Sequence, residues 1–210
     1  HAPCDLRLVE KEPTAPGPGQ VRLAVEYGGI CGSDLGYWRT GVSGTAVMKR
    51  PFGDLIHFRV ARRDPLPRKV LLVAPMSGHY ATLMRSTVLS LLNDCELYVT
   101  DWHNARDIPV SEGKFDVEDY TRYLTDFMTH LGPNLHVIAV CQPAPLTLAA
   151  TALLAEENPA AQPRTLTLIG GPIDPDAAAT EVTDFGNRVT MGELEHLAIQ
   201  QVGFKYRGAG

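Results

Sequence analysis

The junction around Cys141 combines a reactive residue type with a spacing that suits catalysis. An apolar run, Val137–Val140, leads into Cys141-Gln142-Pro143, and this order predicts a strand followed by a sharp turn into a helix. A cysteine on such a turn projects its thiol above the sheet, and the amide of Gln142 is then free to bind a developing oxyanion. The helix start also favours a thiolate over a thiol. The alternative is that Cys141 is a buried structural thiol, a common position for a free cysteine.

A second candidate segment is the loop Pro75–His79, which follows an earlier apolar run. In a sheet that carries its nucleophile on a strand-to-helix turn, such a loop supplies the second oxyanion amide. Gly78 allows a close approach of the backbone to a ligand. The candidate donors of the oxyanion hole are therefore Gln142 together with Met76, Ser77 and Gly78. We interpret His79 as a capping or packing residue in preference to a base.

Candidate acid and base residues follow Cys141 in the chain. Cys141, Asp174 and His196 stand in the order nucleophile, acid, base. This order carries little weight, because a chain with seven histidines and 24 acidic residues offers such an ordering by chance. The alternatives are that Asp174 caps a turn and that His196 lies on the surface of a helix.

The elements that must position these residues alternate between strands and helices. Val70–Ala74, Leu97–Thr100, Leu135–Val140 and Leu166–Ile169 are short apolar runs typical of buried strands. Helices are predicted over 81–92, from an Asp116 cap to Gly132-Pro133, and from the Cys141 turn to about Glu157. This alternation predicts an α/β fold with a parallel sheet, in which chemistry gathers at the carboxyl ends of the strands.

Composition excludes several classes of protein. The chain has 210 residues, of which 44% are hydrophobic and 20% charged, and a net charge of −5. Such a chain can bury a core, and it lacks the basic patch that nucleic-acid binding requires. Its longest mostly apolar run, Ala144–Ala155, is about half of the ~20 residues of a membrane span. We therefore expect neither a nucleic-acid partner nor a membrane span, and no secretory leader is recognisable after His1.

The four cysteines are widely spaced. They are Cys4, Cys31, Cys95 and Cys141, with no CxxC pair among them, so a zinc site built from cysteines is not expected. A chain of this length does not need disulfides for stability, and reduced thiols in the cytoplasm are the prediction.

Residues 51–210 resemble the intracellular poly(3-hydroxybutyrate) depolymerases. The matching stretches are Lys69–His79, Tyr98–Trp102 with Ala105-Arg106, His130–Pro133, His136–Pro143 and Gly170–Asp174. The resemblance implies an α/β-hydrolase fold and a cysteine nucleophile, a role that falls on Cys141. It implies hydrolysis of polyester bonds through an acyl-enzyme, with the polymer or its oligomers as partner and granule surfaces as a further candidate partner. The family's acid and base lie on later segments, which this chain is expected to lack.

Residues 1–50 resemble an unrelated group, the amino terminus of zinc-dependent medium-chain alcohol and polyol dehydrogenases. The matching stretches are Pro16–Gln20 and Gly28–Leu35. The resemblance would make Cys31 a zinc ligand, but Gly36 stands where a histidine is usual, and the later Gly-His-Glu ligands are missing. One ligand alone does not hold zinc, so neither a metal nor a cofactor is expected.

Together these resemblances predict two parts. Residues 1–50 form an incomplete dehydrogenase-like fragment, and residues 51–210 form a truncated depolymerase-like hydrolase domain with impaired activity. The alternatives are a non-catalytic fused or truncated product and a fragment of a zinc-dependent dehydrogenase. The oligomeric state is left open.

Overall fold

The fold centres on one mixed sheet of six strands. It comes from a computed structural model that describes residues 42–60, 66–76, 84–105, 108–177 and 179–199. The strands are β1 (Val42–Met48), β2 (Gly53–Val60), β3 (Lys69–Val73), β4 (Glu96–Trp102), β5 (Leu135–Val140) and β6 (Thr165–Ile169), in the sheet order β1-β2-β4-β3-β5-β6. The helices are α1 (Arg85–Leu91), α2 (Val117–Leu131), α3 (Ala144–Glu157), α4 (Glu181–Arg188) and α5 (Met191–Ile199). Single 3-10 turns occupy Val110–Glu112 and Pro159–Ala161.

The four strands β4, β3, β5 and β6 are parallel, as the alternating pattern predicts. β3 lies at their centre, with Leu72 opposite Val99 of β4 and opposite Ile138 of β5. Its apolar run is buried on both faces of the sheet. Leu71 and Val73 belong to the cluster under α2 and α3, whereas Val70 and Leu72 belong to the cluster under α1. A continuous apolar run is therefore the pattern that this position requires.

One edge of the sheet is antiparallel, which the alternating pattern does not predict. β1 and β2 pair with each other antiparallel, and β2 pairs antiparallel with β4. The predicted boundary between residues 50 and 51 thus falls between two paired strands, so Val42–Met48 belongs to this sheet. The division of the chain into a 1–50 and a 51–210 part otherwise stays a prediction, because residues 1–41 lie outside the described residues.

The helix α2 begins and ends where its sequence predicts. The Asp116 carboxylate accepts hydrogen bonds from the amides of Glu118 and Asp119, and the Asp119 carboxylate accepts one from the Asp116 amide. This reciprocal pair is a capping box, and it satisfies amides that the helix itself cannot pair. At the other end, Gly132 takes a φ of 73°, which ends the helix.

One face of α2 fills the larger core cluster. Leu124, Phe127 and Met128 are fully buried there. Trp102, at the end of β4, is 1% exposed and stacks on the Tyr120 ring with centroids 4.3 Å apart. These aromatic rings form a rigid wall beneath the carboxyl ends of β3 and β4.

Among the side chains of α4 and α5 whose burial the structure describes, residues 181–188 and 191–196, none is buried. Val182 and Phe185 of α4 are 79% and 50% exposed, and Met191 of α5 is 70% exposed. Within the described part of the chain, no helix has the length and hydropathy needed to cross a bilayer.

Candidate active site

Cys141 occupies a tight turn directly after β5. Its φ is 66°, in the left-handed region that few residues other than glycine adopt. The turn is fixed by two backbone hydrogen bonds. The Cys141 amide donates to the Ile169 carbonyl oxygen at 2.7 Å, and the Ala144 amide donates to the Cys141 carbonyl oxygen at 3.1 Å. A non-glycine residue in this conformation costs on the order of 1 kcal/mol or more, and such strain is characteristic of residues held for chemistry.

The Cys141 thiol is free, and the residue is exposed. The alternative interpretation of a buried structural thiol is therefore wrong. Cys95 is a buried structural thiol of that kind, since it is 3% exposed and its thiol donates to the Leu91 carbonyl oxygen.

The segment after β6 packs directly against this turn. Gly171 lies so close that a Cβ atom built on it would be 2.1 Å from the Ala144 Cβ and 2.8 Å from the Cys141 carbonyl oxygen. Any residue larger than glycine at position 171 would displace the turn. The backbone of β6 and of the following loop therefore holds the candidate nucleophile in place.

The helix α3 starts immediately after the turn. Pro143 is its N-cap and Pro145 lies in its first turn, where the missing amide hydrogens cost nothing. The Thr147 hydroxyl donates to the Pro143 carbonyl oxygen at 2.7 Å. Gln142 is exposed at the start of this helix. Its role as an oxyanion donor stays a prediction.

The loop after β3 lies beside the Cys141 turn. Val73 at the end of β3 pairs with Ala139 of β5, so Met76 and Cys141 follow neighbouring strands at the same edge of the sheet. Met76 is half-buried. Ser77, Gly78 and His79 lie outside the described residues, and their predicted roles are not tested.

A cavity of ≈ 240 Å³ opens between these two candidate donors. Met76 and Gln142 both line it. The remaining walls come from the segment around the start of α2 and from the first turns of α3, and consist of Phe115, Asp116, Val117, Tyr120 and Leu146. Most of these walls are apolar, which is typical of a pocket for the carbon chain of a small ligand.

Tyr120 is the most buried residue of this cavity, at 5% exposed. Its hydroxyl oxygen is buried and has no hydrogen-bond partner in the described part of the chain. Burial raises the pKa of Tyr120 far above its usual 10, and the nearby Trp102 lowers it only in part. The hydroxyl therefore keeps its proton at any working pH.

The candidate acid and base are not joined to Cys141. The Asp174 carboxylate accepts hydrogen bonds from the amides of Asp176 and Ala177 at 3.1 and 3.2 Å, so it caps a turn. His196 is exposed on α5. Among the described residues, no hydrogen bond connects Asp174 or His196 with the other or with Cys141.

No metal site is present in the described ranges, where no group of three His, Cys, Asp or Glu side chains is placed to hold an ion. Cys31, the zinc ligand suggested by the amino-terminal resemblance, lies outside them. The cavity residues Phe115, Tyr120 and Leu146 were not predicted from the sequence as site residues. The apolar periodicity of α2 includes Tyr120, but it does not distinguish a cavity wall from core.

Comparison with known proteins supports both resemblances. A family model described as the PHB de-polymerase C-terminus matches residues 170–210. The amino-terminal region is similar to sorbitol dehydrogenases. The Bos taurus enzyme is 47% identical over 51 residues, which are 24% of this chain and 14% of the bovine protein. The Sus scrofa sequence is also 47% identical over 51 residues, which are 53% of that sequence.

Solved structures identify the fold as that of the α/β hydrolases. A mutant haloalkane dehalogenase from Agrobacterium tumefaciens C58 superposes with a TM-score of 0.52 at 17% identity, over 77% of this chain and 54% of that one. A candidate lipase from Acinetobacter baumannii AYE gives a TM-score of 0.50 at 15% identity, over 81% and 59% of the two chains. The chain thus spans a little over half of these structures and a small part of the bovine dehydrogenase.

Proposed function

We propose that this chain is an ester hydrolase of the polyhydroxyalkanoate depolymerase type, with Cys141 as its nucleophile. The observation that carries the proposal is the strained, exposed Cys141 turn after β5, with a φ of 66°. The match of residues 170–210 to a depolymerase family model supports 3-hydroxybutyrate polyester, or its oligomers, as the substrate.

The geometry suits acyl transfer in two steps. The Cys141 sulfur would attack the ester carbonyl carbon, and the carbonyl oxygen would become an oxyanion held by the Gln142 amide and an amide of the 76–78 loop. Collapse of this intermediate breaks the ester bond, releases the alcohol end of the polymer with a proton, and leaves a thioester on Cys141. Water then attacks the thioester, which releases the acid and restores the thiol.

The proton of the Cys141 thiol needs an acceptor. Asp174 and His196 stay the candidate acid and base of the proposal, and their use requires hydrogen bonds to each other and to Cys141 that are not formed among the described residues. Without an adjacent base, attack depends on the fraction of free thiolate, and we expect slow turnover. The proposal places the protein in the reducing cytoplasm, where Cys141 stays a free thiol, with polymer granule surfaces as its partner.

A non-catalytic role is the second candidate. It is favoured by the observation that the described residues place no hydrogen-bonded base beside Cys141. In that case the hydrolase part would keep only a structural or polymer-binding role.

Hydrolysis of short 3-hydroxybutyrate oligomers separates the two candidates. The full 210-residue chain, Cys141→Ala and the matched control Cys95→Ala would be compared by chromatography of the released acids. The hydrolase proposal expects turnover by the wild-type chain and by Cys95→Ala, and its loss in Cys141→Ala. Equal rates in the wild-type chain and Cys141→Ala would overturn the role of Cys141. Absence of turnover in all three would favour the non-catalytic role.

A further inference from the structure

The strand β6 forms one edge of the sheet, and among the described residues it pairs only with β5. The Cys141 amide donates to the Ile169 carbonyl oxygen, so the backbone groups of Ile169 point toward β5. Successive residues of a strand point their backbone groups to opposite sides. Those of Leu166 and Leu168 therefore point outward, where no strand of the described ranges meets them.

The sequence of β6 lacks the features that usually protect an edge strand, which are charged side chains, proline and bulges. β6 reads Thr-Leu-Thr-Leu-Ile and pairs with β5 without a register shift. Thr167 is exposed, and Ile169 is 49% exposed. The strand at the opposite edge, β1, differs because its register shifts between Ala46 and Met48, which interrupts a regular ladder. Of the two edges, β6 is thus the one that can accept a further strand.

The pattern of β6 is complementary to itself. When a second β6 runs antiparallel about Thr167, each Leu166 lies opposite the Leu168 of the other copy, and the two Thr167 residues lie opposite each other. The outward backbone groups of Leu166 and Leu168 then form a pair that exchanges both hydrogen bonds. The two Thr167 residues form the alternate, non-hydrogen-bonded pair, in which the side chains are closest. A single register therefore satisfies the outward groups and places leucine beside leucine.

The charges around β6 permit this pairing. Arg164, directly before the strand, would lie opposite Gly170 of the second copy and not opposite another arginine, so no like charges meet. Leu166 and Leu168 are half-buried against the larger core cluster, and an added strand would cover part of their remaining surface. An edge of five residues buries less than the roughly 1,600 Å² of a standard interface. We therefore expect a reversible dimer with a Kd on the order of 10 µM.

We propose that the outer edge of β6 is a homodimer interface, at which a second copy of this chain adds its own β6 antiparallel, centred on Thr167. The sheets of the two copies then form one continuous sheet. This inference is independent of the proposed hydrolase function, because it uses neither the Cys141 thiol nor a substrate.

Thr167→Lys and Thr167→Glu test the proposal, because each places two like charges directly opposite each other in the dimer. The side chain of Thr167 is exposed, so neither change disturbs the core of the single chain. The matched control is Thr45→Lys, at an exposed position of the other edge strand, β1. Sedimentation equilibrium of the full chain over the micromolar range measures the Kd. We expect the wild-type chain and Thr45→Lys to dimerise alike, and each Thr167 variant to dimerise about fivefold more weakly.

Mixing the two Thr167 variants separates loss of pairing from loss of folding. An equimolar mixture of Thr167→Lys and Thr167→Glu places opposite charges at the centre of the interface and should restore a dimer of at least wild-type strength. A mixture of Thr45→Lys and Thr167→Glu should show no such gain. A wild-type chain that stays monomeric, a dimer that the Thr167 variants do not weaken, or a mixture without recovery would each overturn the proposal. A dimer insensitive to position 167 would place the interface elsewhere, for example on the exposed apolar residues of α4.

The register of the pairing has its own test in cysteine variants made in a Cys141→Ala background. Oxidised Thr167→Cys should form a disulfide-linked dimer on a non-reducing gel, because the two side chains at this position face each other closely. Thr165→Cys should be linked far less, since Thr165 lies opposite Ile169 of the second copy. Equal cross-linking at positions 165 and 167 would contradict the register centred on Thr167.

Discussion

Replacement of Gly171 by alanine tests how the Cys141 turn is held. The new Cβ would lie 2.1 Å from the Ala144 Cβ and 2.8 Å from the Cys141 carbonyl oxygen. Non-bonded carbon atoms pack at about 3.5–4 Å, so the distance between the new Cβ and the Ala144 Cβ would be too short by about 1.5 Å or more. Both contacts involve atoms fixed to the backbone, and no side-chain rotation can relieve them. The turn, the start of α3 or the loop after β6 must therefore move.

The free-energy cost of this movement can be gauged from overpacked cores in other proteins. Added methyl groups in well-packed sites cost typically about 1–3 kcal/mol, and the short contact places Gly171→Ala near about 3 kcal/mol. For a chain of this size that corresponds to a decrease in Tm of roughly 6–12 °C. Urea unfolding followed by the fluorescence of buried Trp102 measures the free energy of unfolding, and a chromogenic disulfide measures the reactivity of the Cys141 thiol.

Gly186→Ala is the matched control for Gly171→Ala. Gly186 lies within α4, where an added Cβ would meet no atom within 4 Å. Alanine favours a helix over glycine by about 1 kcal/mol, so this variant should be no less stable than the wild-type chain. If Gly171→Ala matched Gly186→Ala in both stability and Cys141 reactivity, the close packing at the turn would be refuted.

Two further predictions concern the framework around the site. Asp116→Ala should lower the urea midpoint at pH 7, because it removes the N-cap of α2, whereas Asp126→Ala on the same helix should have a smaller effect. The pKa of Asp116 is lowered to about 2, first by the Lys114 side chain and next by the Asp119 amide. The stabilisation that ionised Asp116 provides should therefore be complete above the ordinary carboxyl pKa of 3.8 and be lost as the pH falls through about 2. A difference in urea midpoint between the wild-type chain and Asp116→Ala that persists at pH 2 would contradict this. Buried Glu96 accepts hydrogen bonds from His57 and from the Leu66 amide at 2.8 and 2.7 Å. Glu96→Ala should therefore lower the free energy of unfolding in urea by about 3 kcal/mol. A loss of less than about 0.5 kcal/mol would show that these bonds do not stabilise the fold.

The central strands and helices could be predicted from the sequence because each carries a simple pattern. β3 and β5 are continuous apolar runs, and α2 combines an Asp116 cap, a 3.6-residue apolar period and a Gly132 stop. These patterns report burial on both faces of a sheet or on one face of a helix. They are local properties, so no tertiary information was needed.

The antiparallel edge could not be predicted in the same way. In β2, His57 is buried at 4% exposure and is satisfied by Glu96 of β4. A histidine and a carboxylate that pair across strands look like surface residues when the sequence is considered one segment at a time. Their pairing, which makes β2 a buried strand, becomes visible only when the strands are side by side.

The candidate site was predictable in part. The Cys141 turn follows from the steric demand of a strand that passes directly into a helix, and its left-handed φ agrees with that demand. The cavity could not be predicted, because its walls come from the β3 loop and from the starts of α2 and α3. The unpaired state of the Tyr120 hydroxyl depends on where Trp102 directs its N–H, and sequence spacing contains no such information.

Detection of an acyl group on Cys141 is the most direct test of the proposed chemistry. The full chain would be mixed with the 4-nitrophenyl ester of 3-hydroxybutyrate, quenched in acid and digested for mass spectrometry, with Cys141→Ala treated in parallel. We predict one 3-hydroxybutyryl group on the peptide that contains Cys141, and no such adduct in Cys141→Ala. Ester hydrolysis without this adduct, or an adduct on a different residue, would contradict the assignment of Cys141 as the nucleophile.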